Sequence, residues 1–364
     1  MSVMSKIRSF IISAVFGVLG VHESCQIENQ SNIIFSLCDD LGYGDVKCLN
    51  PDGKIATPSF DRLAKEGMIF TDAHSGSSVC TPTRYGVMTG RYAWRSKLQS
   101  GVLGGLSPRL IEQGRLTVPA MLKAQGYSTH CVGKWHLGMD WVRTGPTEEL
   151  NIEKAEQVNN VEYTKPITNG PTSVGFDTYF GISASLDMVP YCFIENDHVV
   201  ANPTEKMKLA MNAGGRMSYT REGPGSPGFR GEDVLPTFTR EAKKVIESKA
   251  KQGAPFFLYL PHFGVHSPHQ AKKELIAKFK DKAPVGGHNS ATYAAMIASV
   301  DESVGRVMAT LDELKLADNT VLVFASDNGG VGGYVREGIK KGGGDVTDNA
   351  PLRSGKGSLY EGGT

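Results

Sequence analysis

The sequence lacks the features that mark several common classes of protein. Its six cysteines, at positions 25, 38, 48, 80, 131 and 192, form no C-x-x-C pair, so their spacing indicates neither a zinc site nor a disulfide framework. Lysine and arginine number 39 against 38 aspartate and glutamate, and a net charge of +1 gives no general attraction to nucleic acid. No internal repeat is present. The 364 residues are instead enough for one large α/β domain, or for one domain plus part of a second, with a core of ordinary size.

The apolar segment at the N-terminus is too short to span a bilayer. Lys6 and Arg8 precede an apolar run from Phe10 to Val21, and the polar residues 22–24 follow it. This order of charged, apolar and polar regions is typical of a secretory signal peptide, with a short buried helix as the alternative. We therefore predict a signal over residues 1–24 and an exported chain with no integral membrane span after signal removal.

Strands alternate with helices along the rest of the chain. Strands are predicted at 32–38, 68–73, 128–132, 256–261 and 320–326, and helices at 57–66, 117–125, 238–251 and 290–314. This alternation predicts an α/β fold with a large, mostly parallel sheet flanked by helices. In such sheets ligands bind beyond the carboxyl ends of the strands. Two irregular regions, 143–175 and 202–233, are predicted to be surface insertions that shape access for a substrate.

Oxygen-bearing side chains follow the first and the last of these strands. Asp39 and Asp40 come directly after one, and Asp327 and Asn328 after the other. Carboxylate and amide oxygens are the ligands of hard divalent cations, and this set suits Ca²⁺ best, with Mg²⁺ as the second choice. An Asp-Asp pair on its own is often a solvated loop. The equivalent positions at two strand ends favour a metal site.

Two lysines and one histidine are candidates for contact with an anionic substrate. Lys134 and His136 follow the strand at 128–132, where an ammonium can hold a sulfonate or phosphoryl oxygen and an imidazole can move a proton. Lys356 lies in a glycine-rich turn that an anion can approach closely. Taken singly, each can be read as a surface lysine or a core histidine.

Three histidines follow the strand at 256–261. His266 is the candidate proton carrier, and His262 and His269 compete with it for the same role. Spacing alone does not choose among them.

Residues 80–84 read Cys-Thr-Pro-Thr-Arg, a C-x-P-x-R pattern. Composition alone would give roughly 0.01 such matches in this chain, which is a modest risk of a chance match, so the pattern by itself is a lead. In isolation, Cys80 could be a buried cysteine and Arg84 the start of a helix. The neighbouring segments decide between these interpretations.

Seven segments, taken in order, resemble the sulfatase family of the alkaline phosphatase superfamily. They are residues 39–45, 57–64, 80–91, 133–138, 266–268, 326–330 and 351–356. The resemblance covers nearly the whole chain after the predicted signal and implies an alkaline-phosphatase-like sandwich. It identifies residues 30–364 as a sulfatase catalytic domain. Because the family usually continues through a smaller C-terminal sheet and helix, we expect this domain to be incomplete at its C-terminus.

The resemblance also implies a complete active site. The implied metal ligands are Asp39, Asp40, Cys80, Asp327 and Asn328. The implied catalytic residues are Cys80, Arg84, Lys134, His136, His266 and Lys356. A formylglycine-generating maturation enzyme would convert Cys80 to formylglycine, whose hydrated aldehyde is the nucleophile. The expected reaction is hydrolysis of a sulfate ester on a sulfated small molecule or carbohydrate.

Departures from the family pattern are few, and two other functions stay open. Thr83, Ser31 and Cys38 stand where serine, proline and alanine are common, and none of these changes removes a functional group. One alternative is a phosphate or phosphonate ester hydrolase of the same superfamily. The other is an inactive, truncated homologue that binds sulfated glycans. Trp141, Tyr163 and Tyr191 are candidates for stacking on a sugar, but the sequence does not identify the substrate.

Overall fold

The computed structural model describes residues 30–53, 55–145, 160–209, 220–280, 290–331 and 347–364. Residues from 31 onward form one compact unit. The signal predicted at 1–24 lies outside the described residues. Among the described helices, none has the length and apolar character needed to cross a membrane. The five cysteines in the described ranges are free thiols.

Nine strands occur in the described part of the chain. They are β1 (Asn32–Cys38), β2 (Ser128–Lys134), β3 (Thr178–Ile182), β4 (Ile194–Glu195), β5 (His198–Val199), β6 (Glu205–Met207), β7 (Gly223–Gly225), β8 (Phe256–Pro261) and β9 (Thr320–Ser326). Seven of them form one sheet in the order β5-β4-β3-β2-β8-β1-β9, and β6 pairs with β7 separately. Strands β3, β2, β8, β1 and β9 run parallel, whereas β4 pairs antiparallel with both of its neighbours, β3 and β5. The predicted α/β fold with a mostly parallel sheet is confirmed.

Six α-helices accompany these strands in the described ranges. They are α1 (Pro58–Glu66), α2 (Cys80–Thr89), α3 (Val118–Ala124), α4 (Gly231–Gln252), α5 (Lys273–Ala277) and α6 (Ala291–Glu313). Short 3-10 turns lie at Tyr43–Asp45, Ala93–Arg95, Pro171–Val174 and Ala317–Asn319. Helix α6 begins after Ser290, whose Oγ accepts from the backbone N–H of Tyr293 at 3.2 Å. Such a side-chain cap satisfies one of the donors that a helix start leaves unpaired.

Helix α1 is capped by another helix rather than by its own sequence. The carboxylate of Asp301, on α6, accepts from the backbone N–H groups of Ser59 at 3.0 Å and Phe60 at 2.9 Å. Thr57 precedes the helix but makes no side-chain cap. The contact ties α1 to α6 while it satisfies the helix start.

Helix α4 starts earlier than its predicted first residue at 238. Pro236 lies inside the helix, where the missing N–H removes one backbone hydrogen bond. Val234 and Leu235, beside it, are buried in the core. Burial of these side chains offsets the local cost of the proline, which periodicity alone did not reveal.

The strand predicted at 68–73 is wrong. This segment has no strand, and Met68 and Phe70 are 77% and 73% exposed. A β-rich apolar sequence forms a strand only where a neighbouring strand accepts its backbone hydrogen bonds. No described strand pairs with it.

Strand β2 runs past its predicted end at 132 because of a glycine. Gly133 has a φ of +144°, and a Cβ there would lie 2.0 Å from the carbonyl oxygen of Pro261. Only glycine allows the ends of β2 and β8 to approach this closely. The close approach carries Lys134 to the carboxyl edge of the sheet.

Candidate active site and metal centre

The oxygen ligands predicted from the sequence meet at the carboxyl edge of β1 and β9. These strands are neighbours, and Cys38 is paired with Ser326 in their register. The residues that follow are therefore adjacent, and each is at most 2% exposed: Asp39, Asp40, Asp327 and Asn328. Cys80 enters from the first turn of α2, with its Sγ 3.1 Å from Asp39 Oδ1. The structure thus brings all five predicted metal-binding side chains to one buried place.

The donor atoms of this cluster fit a hard divalent cation. Ligand atoms of Asp39, Asp40, Cys80 and His266 all lie within 4.8 Å of one another. The amide Nδ2 of Asn328 donates to Asp40 Oδ1 at 2.8 Å, while its Oδ1 is buried and has no hydrogen-bond partner among the described residues. A buried oxygen without a partner costs free energy unless a ligand satisfies it. Carboxylates with an amide oxygen are a ligand set for Ca²⁺ or Mg²⁺.

Two lysines contact the carboxylates. The Nζ of Lys134 contacts Asp39 Oδ2 and the hydroxyl of Ser185. The Nζ of Lys356 lies 2.8 Å from Asp40 Oδ2 and 3.7 Å from Cys80 Sγ. Lys356 therefore lies beside Cys80, and Lys134 contacts the same carboxylate, Asp39, that Cys80 contacts.

When all its carboxylates are ionised, the charges of the cluster balance before any metal is counted. Three carboxylates (Asp39, Asp40, Asp327) face three cationic side chains (Arg84, Lys134, Lys356). A divalent cation would give the cluster a net charge of +2. In a buried place of low dielectric, that excess attracts an anionic ester.

Arg84 lies beneath the cluster and orders its carboxylates. Its side chain is fully buried, its Nε donates to Asp327 Oδ2 at 3.0 Å, and its Nη1 donates to the carbonyl of Lys134 at 3.2 Å. Burial by itself would lower the pKa of Arg84, but Asp327 and Asp39 outweigh it and raise that pKa above its ordinary value. Arg84 is therefore a permanent cation.

The two carboxylates nearest to Arg84 titrate differently. Burial opposes ionisation of Asp39, but the charges of Lys134, His266 and Arg84 hold its pKa well below the ordinary value. Burial and the negative charge of Asp39 raise the pKa of Asp327 to about 7. Asp39 is therefore ionised in the folded protein. A cation bound between Asp39 and Asp327 would favour ionisation of both carboxylates.

His136 presents one unprotonated ring nitrogen. Its Nε2 lies 2.6 Å from the carbonyl oxygen of Leu103, and because a carbonyl only accepts, Nε2 carries the proton. Its Nδ1 has no hydrogen-bond partner among the described residues. Burial and the nearby Lys134 lower the pKa of His136 well below its ordinary value, so the ring is neutral. The backbone φ of +57°, like the +61° of Asp40, is a strained conformation of the kind that clusters at functional sites.

Of the three histidines after β8, His266 faces the cluster. Its Nδ1 lies 2.6 Å from the carbonyl oxygen of Ser267, which leaves Nε2 pointing to Asp40 Oδ2 at 3.6 Å. His262 is buried with neither ring nitrogen hydrogen-bonded to a described residue, and burial lowers its pKa to about 3. Burial likewise lowers the pKa of His269 to about 4. The geometry favours His266 as the proton carrier.

Sequence reasoning missed three polar residues beside the site and misread three aromatic ones. Ser185 contacts Lys134, Asp187 lies beside His266, and Arg221 contacts Asp187. The usable signal for the first two was the run of alternating polar residues that follows the short strand Thr178–Ile182. The stacking candidates are instead core residues with exposures of 8%, 8% and 0%: Trp141, Tyr163 and Tyr191.

Comparison with known proteins agrees with this geometry. Residues 31–364 match the family model for sulfatases. The chain is 34% identical to an N-acetylgalactosamine-6-O-sulfatase of Bacteroides thetaiotaomicron, over 93% of this chain and 67% of that protein. It is 28% identical to human arylsulfatase A, over 95% of this chain and 60% of that protein. The chain thus spans about two thirds or less of the length of these relatives.

A solved structure also matches this chain over most of its length. It comes from work on the metabolism of multiple glycosaminoglycans by Bacteroides thetaiotaomicron, where it is called a 6S-sulf protein. The match has a TM-score of 0.72 and 32% sequence identity, and it covers 93% of this chain and 71% of that one. With its alkaline-phosphatase-like sheet and a family match that runs from residue 31 to residue 364, this chain belongs to the sulfatase family.

Proposed function

We propose that this protein hydrolyses sulfate esters of carbohydrates, with formylglycine made from Cys80 as nucleophile. The position of Cys80 carries the proposal. Its thiol is buried among ionised side chains, 3.1 Å from Asp39 Oδ1 and 3.7 Å from Lys356 Nζ. Burial and the charge of Asp39 raise the pKa of this thiol well above its ordinary value, so an unmodified Cys80 would be a poor nucleophile. A cysteine that lies at the centre of the site but is a poor nucleophile as a thiol is consistent with a precursor that is converted to formylglycine.

The metal site supports the same proposal. Asp39, Asp40, Asp327 and Asn328 would hold the cation, and Ca²⁺ suits this set of oxygen ligands better than Mg²⁺ does. When bound, the cation supplies the Lewis acidity that favours an ionised hydroxyl at position 80 and stabilises negative charge on the ester. Arg84 would keep Asp327 and the first turn of α2 in place beneath it.

The remaining side chains have distinct tasks in this proposal. Lys134 and Lys356 would bind the sulfuryl oxygens and neutralise the charge that grows on them. His266 would act with both ring nitrogens protonated: its Nδ1–H is held by the carbonyl of Ser267, and Nε2 would donate its proton to the oxygen of the departing alkoxide. His136 would accept a proton at Nδ1, the ring nitrogen that its bond to Leu103 leaves free.

The names of the relatives favour a particular class of alcohol. One relative is an N-acetylgalactosamine-6-O-sulfatase, and the similar solved structure comes from work on glycosaminoglycans. We propose a 6-sulfated hexosamine as the substrate class. We also propose that the chain is exported by the signal at 1–24 and that a formylglycine-generating enzyme acts on it.

Release of sulfate tests the function. The protein is produced together with a formylglycine-generating enzyme and supplied with N-acetylgalactosamine 6-sulfate, 4-nitrophenyl sulfate and 4-nitrophenyl phosphate. We expect sulfate release that Cys80→Ala abolishes, with little phosphate release. A higher kcat/KM on the phosphate ester would indicate a phosphate ester hydrolase. A converted protein that binds the sulfated sugar without turning it over would indicate the binding homologue.

A further inference from the structure

The loop that follows β3 connects the two halves of the proposed site. The hydroxyl of Ser185 contacts the Nζ of Lys134, the proposed ligand of the sulfuryl oxygens. Two residues later, Asp187 Oδ1 lies 3.9 Å from Nδ1 of His266, the proposed proton donor to the leaving alcohol. One short segment therefore contacts both the proposed sulfate-binding lysine and the proposed proton donor.

The two oxygens of Asp187 have different surroundings. Nη1 of Arg221 lies 3.4 Å from Oδ2 and donates to the backbone carbonyl of Asp187 at 3.3 Å. The backbone N–H of Arg221 donates to that same carbonyl at 3.0 Å. Oδ1 is buried and accepts no hydrogen bond from any described residue. A fixed carboxylate with one unsatisfied, buried oxygen is poised to accept a hydrogen bond from a ligand.

The charge of Asp187 identifies the kind of ligand. A carboxylate repels a sulfate group, so its place beside an anion site is not explained by recognition of sulfate. A hydroxyl is a donor that a carboxylate accepts from strongly, and carbohydrates carry hydroxyls close to the sulfated carbon. A simple aryl sulfate has no such hydroxyl.

We propose that Asp187 accepts a hydrogen bond from a hydroxyl of the leaving sugar and thereby selects carbohydrate sulfates. The assignment rests on the proposed function, and it makes Asp187 a specificity-determining residue. Arg221 is its positioning partner, because it holds Oδ2 and the backbone carbonyl of Asp187.

Binding measured without turnover tests the assignment separately from catalysis. In a Cys80→Ala background, calorimetry gives the Kd of N-acetylgalactosamine 6-sulfate and of inorganic sulfate. We expect Asp187→Ala to raise the Kd of the sugar ester roughly 10- to 100-fold, which corresponds to the free energy of one hydrogen bond to a charged group. Asp187→Asn, which keeps an acceptor, should raise it less. Neither variant should weaken binding of sulfate, since each removes a negative charge.

Binding of sulfate also reports whether the variants are folded. Asp318→Ala, an exposed aspartate in the turn Ala317–Asn319, is the matched control and should change neither Kd. An equal loss of affinity for both ligands would overturn the assignment, as would a parent protein that binds sulfate but not the sugar ester. An unchanged Kd for the sugar ester, with a lower kcat in the converted enzyme, would show that Asp187 acts on His266 instead. Absence of turnover by converted wild-type protein would contradict the proposed function and leave the binding result intact.

Discussion

Arg84 and Asp327 form a buried ion pair that joins helix α2 to the end of strand β9. Nε of Arg84 donates to Asp327 Oδ2 at 3.0 Å, and Nη2 lies 2.8 Å from the same oxygen. Both side chains are fully buried. Cys80 lies one helical turn before Arg84, so the pair also fixes the distance between Cys80 and the metal ligands.

Removal of Arg84 should destabilise the fold. Arg84→Ala leaves Asp327 as a buried carboxylate without its cation, and such a loss costs about 3–5 kcal/mol. The measurement is the free energy of unfolding in urea, on unconverted protein. Arg240→Ala, at an exposed position on α4, should change it by no more than about 0.5 kcal/mol. A loss below about 1 kcal/mol for Arg84→Ala would contradict the structural role given to the pair.

Calcium should stabilise the folded protein through the oxygen cluster. A ligand that binds only the native state adds about 2.7 kcal/mol at 100 times its Kd, and chelation with EDTA should reverse the effect. Asn328→Ala removes the unpartnered oxygen and should weaken Ca²⁺ affinity at least about 10-fold. Titration calorimetry and Tm shifts measure both effects, with Asp318→Ala as the control. Equal Ca²⁺ affinity in Asn328→Ala and the parent would place the cation elsewhere.

His266 should matter most for esters of poor leaving groups. A sugar alkoxide needs a proton as it departs, so His266→Ala should lower kcat on N-acetylgalactosamine 6-sulfate by about 10²–10⁴-fold. A nitrophenolate leaves without protonation, so the loss on 4-nitrophenyl sulfate should be much smaller. His198→Ala, an exposed histidine on β5, is the control. Equal losses on the two esters would contradict the role of proton donor and would return His262 and His269 to consideration.

Stability should fall as the pH falls below neutrality, partly because of His130. Burial lowers the pKa of His130 to about 4, and its Nδ1 lies 2.7 Å from the hydroxyl of Thr178. Between about pH 6.5 and 4 the unfolded chain takes up the proton more readily than the native state, so native stability decreases with the pH. The full loss from this group is about 3 kcal/mol.

Urea unfolding at pH 7 and at pH 5 measures this dependence. His130→Asn should give a shallower change between the two values, whereas His198→Asn should keep the wild-type dependence. A steeper change in His130→Asn, or a wild-type protein that becomes more stable at pH 5, would contradict the prediction.

Patterns that depend on local sequence predicted much of this fold. Strands β1, β8 and β9 have their predicted bounds because each is a short apolar run that ends in polar or turn-forming residues. The strand expected at 68–73 failed because strand formation also depends on a partner that the sequence of the segment does not specify. Helix α4 began early because burial of Val234 and Leu235 outweighed Pro236.

The candidate site was predictable where its functional residues are adjacent in the sequence. Asp39-Asp40 and Asp327-Asn328 each follow a strand, and parallel neighbours bring their ends together. Asp187 and Arg221 could not be paired from sequence, because the loop conformation that joins them depends on tertiary contacts over 34 positions. The choice of His266 over His262 likewise needed the direction of each ring.

The mass of the peptide that contains Cys80 tests the central claim most directly. The protein is produced with and without a formylglycine-generating enzyme, digested and examined by mass spectrometry, and sulfate release is measured on the same samples. We expect a loss of about 18 Da at Cys80, the change from thiol to aldehyde, and activity in proportion to the converted fraction. Sulfate release by protein whose Cys80 is entirely unconverted would contradict the account.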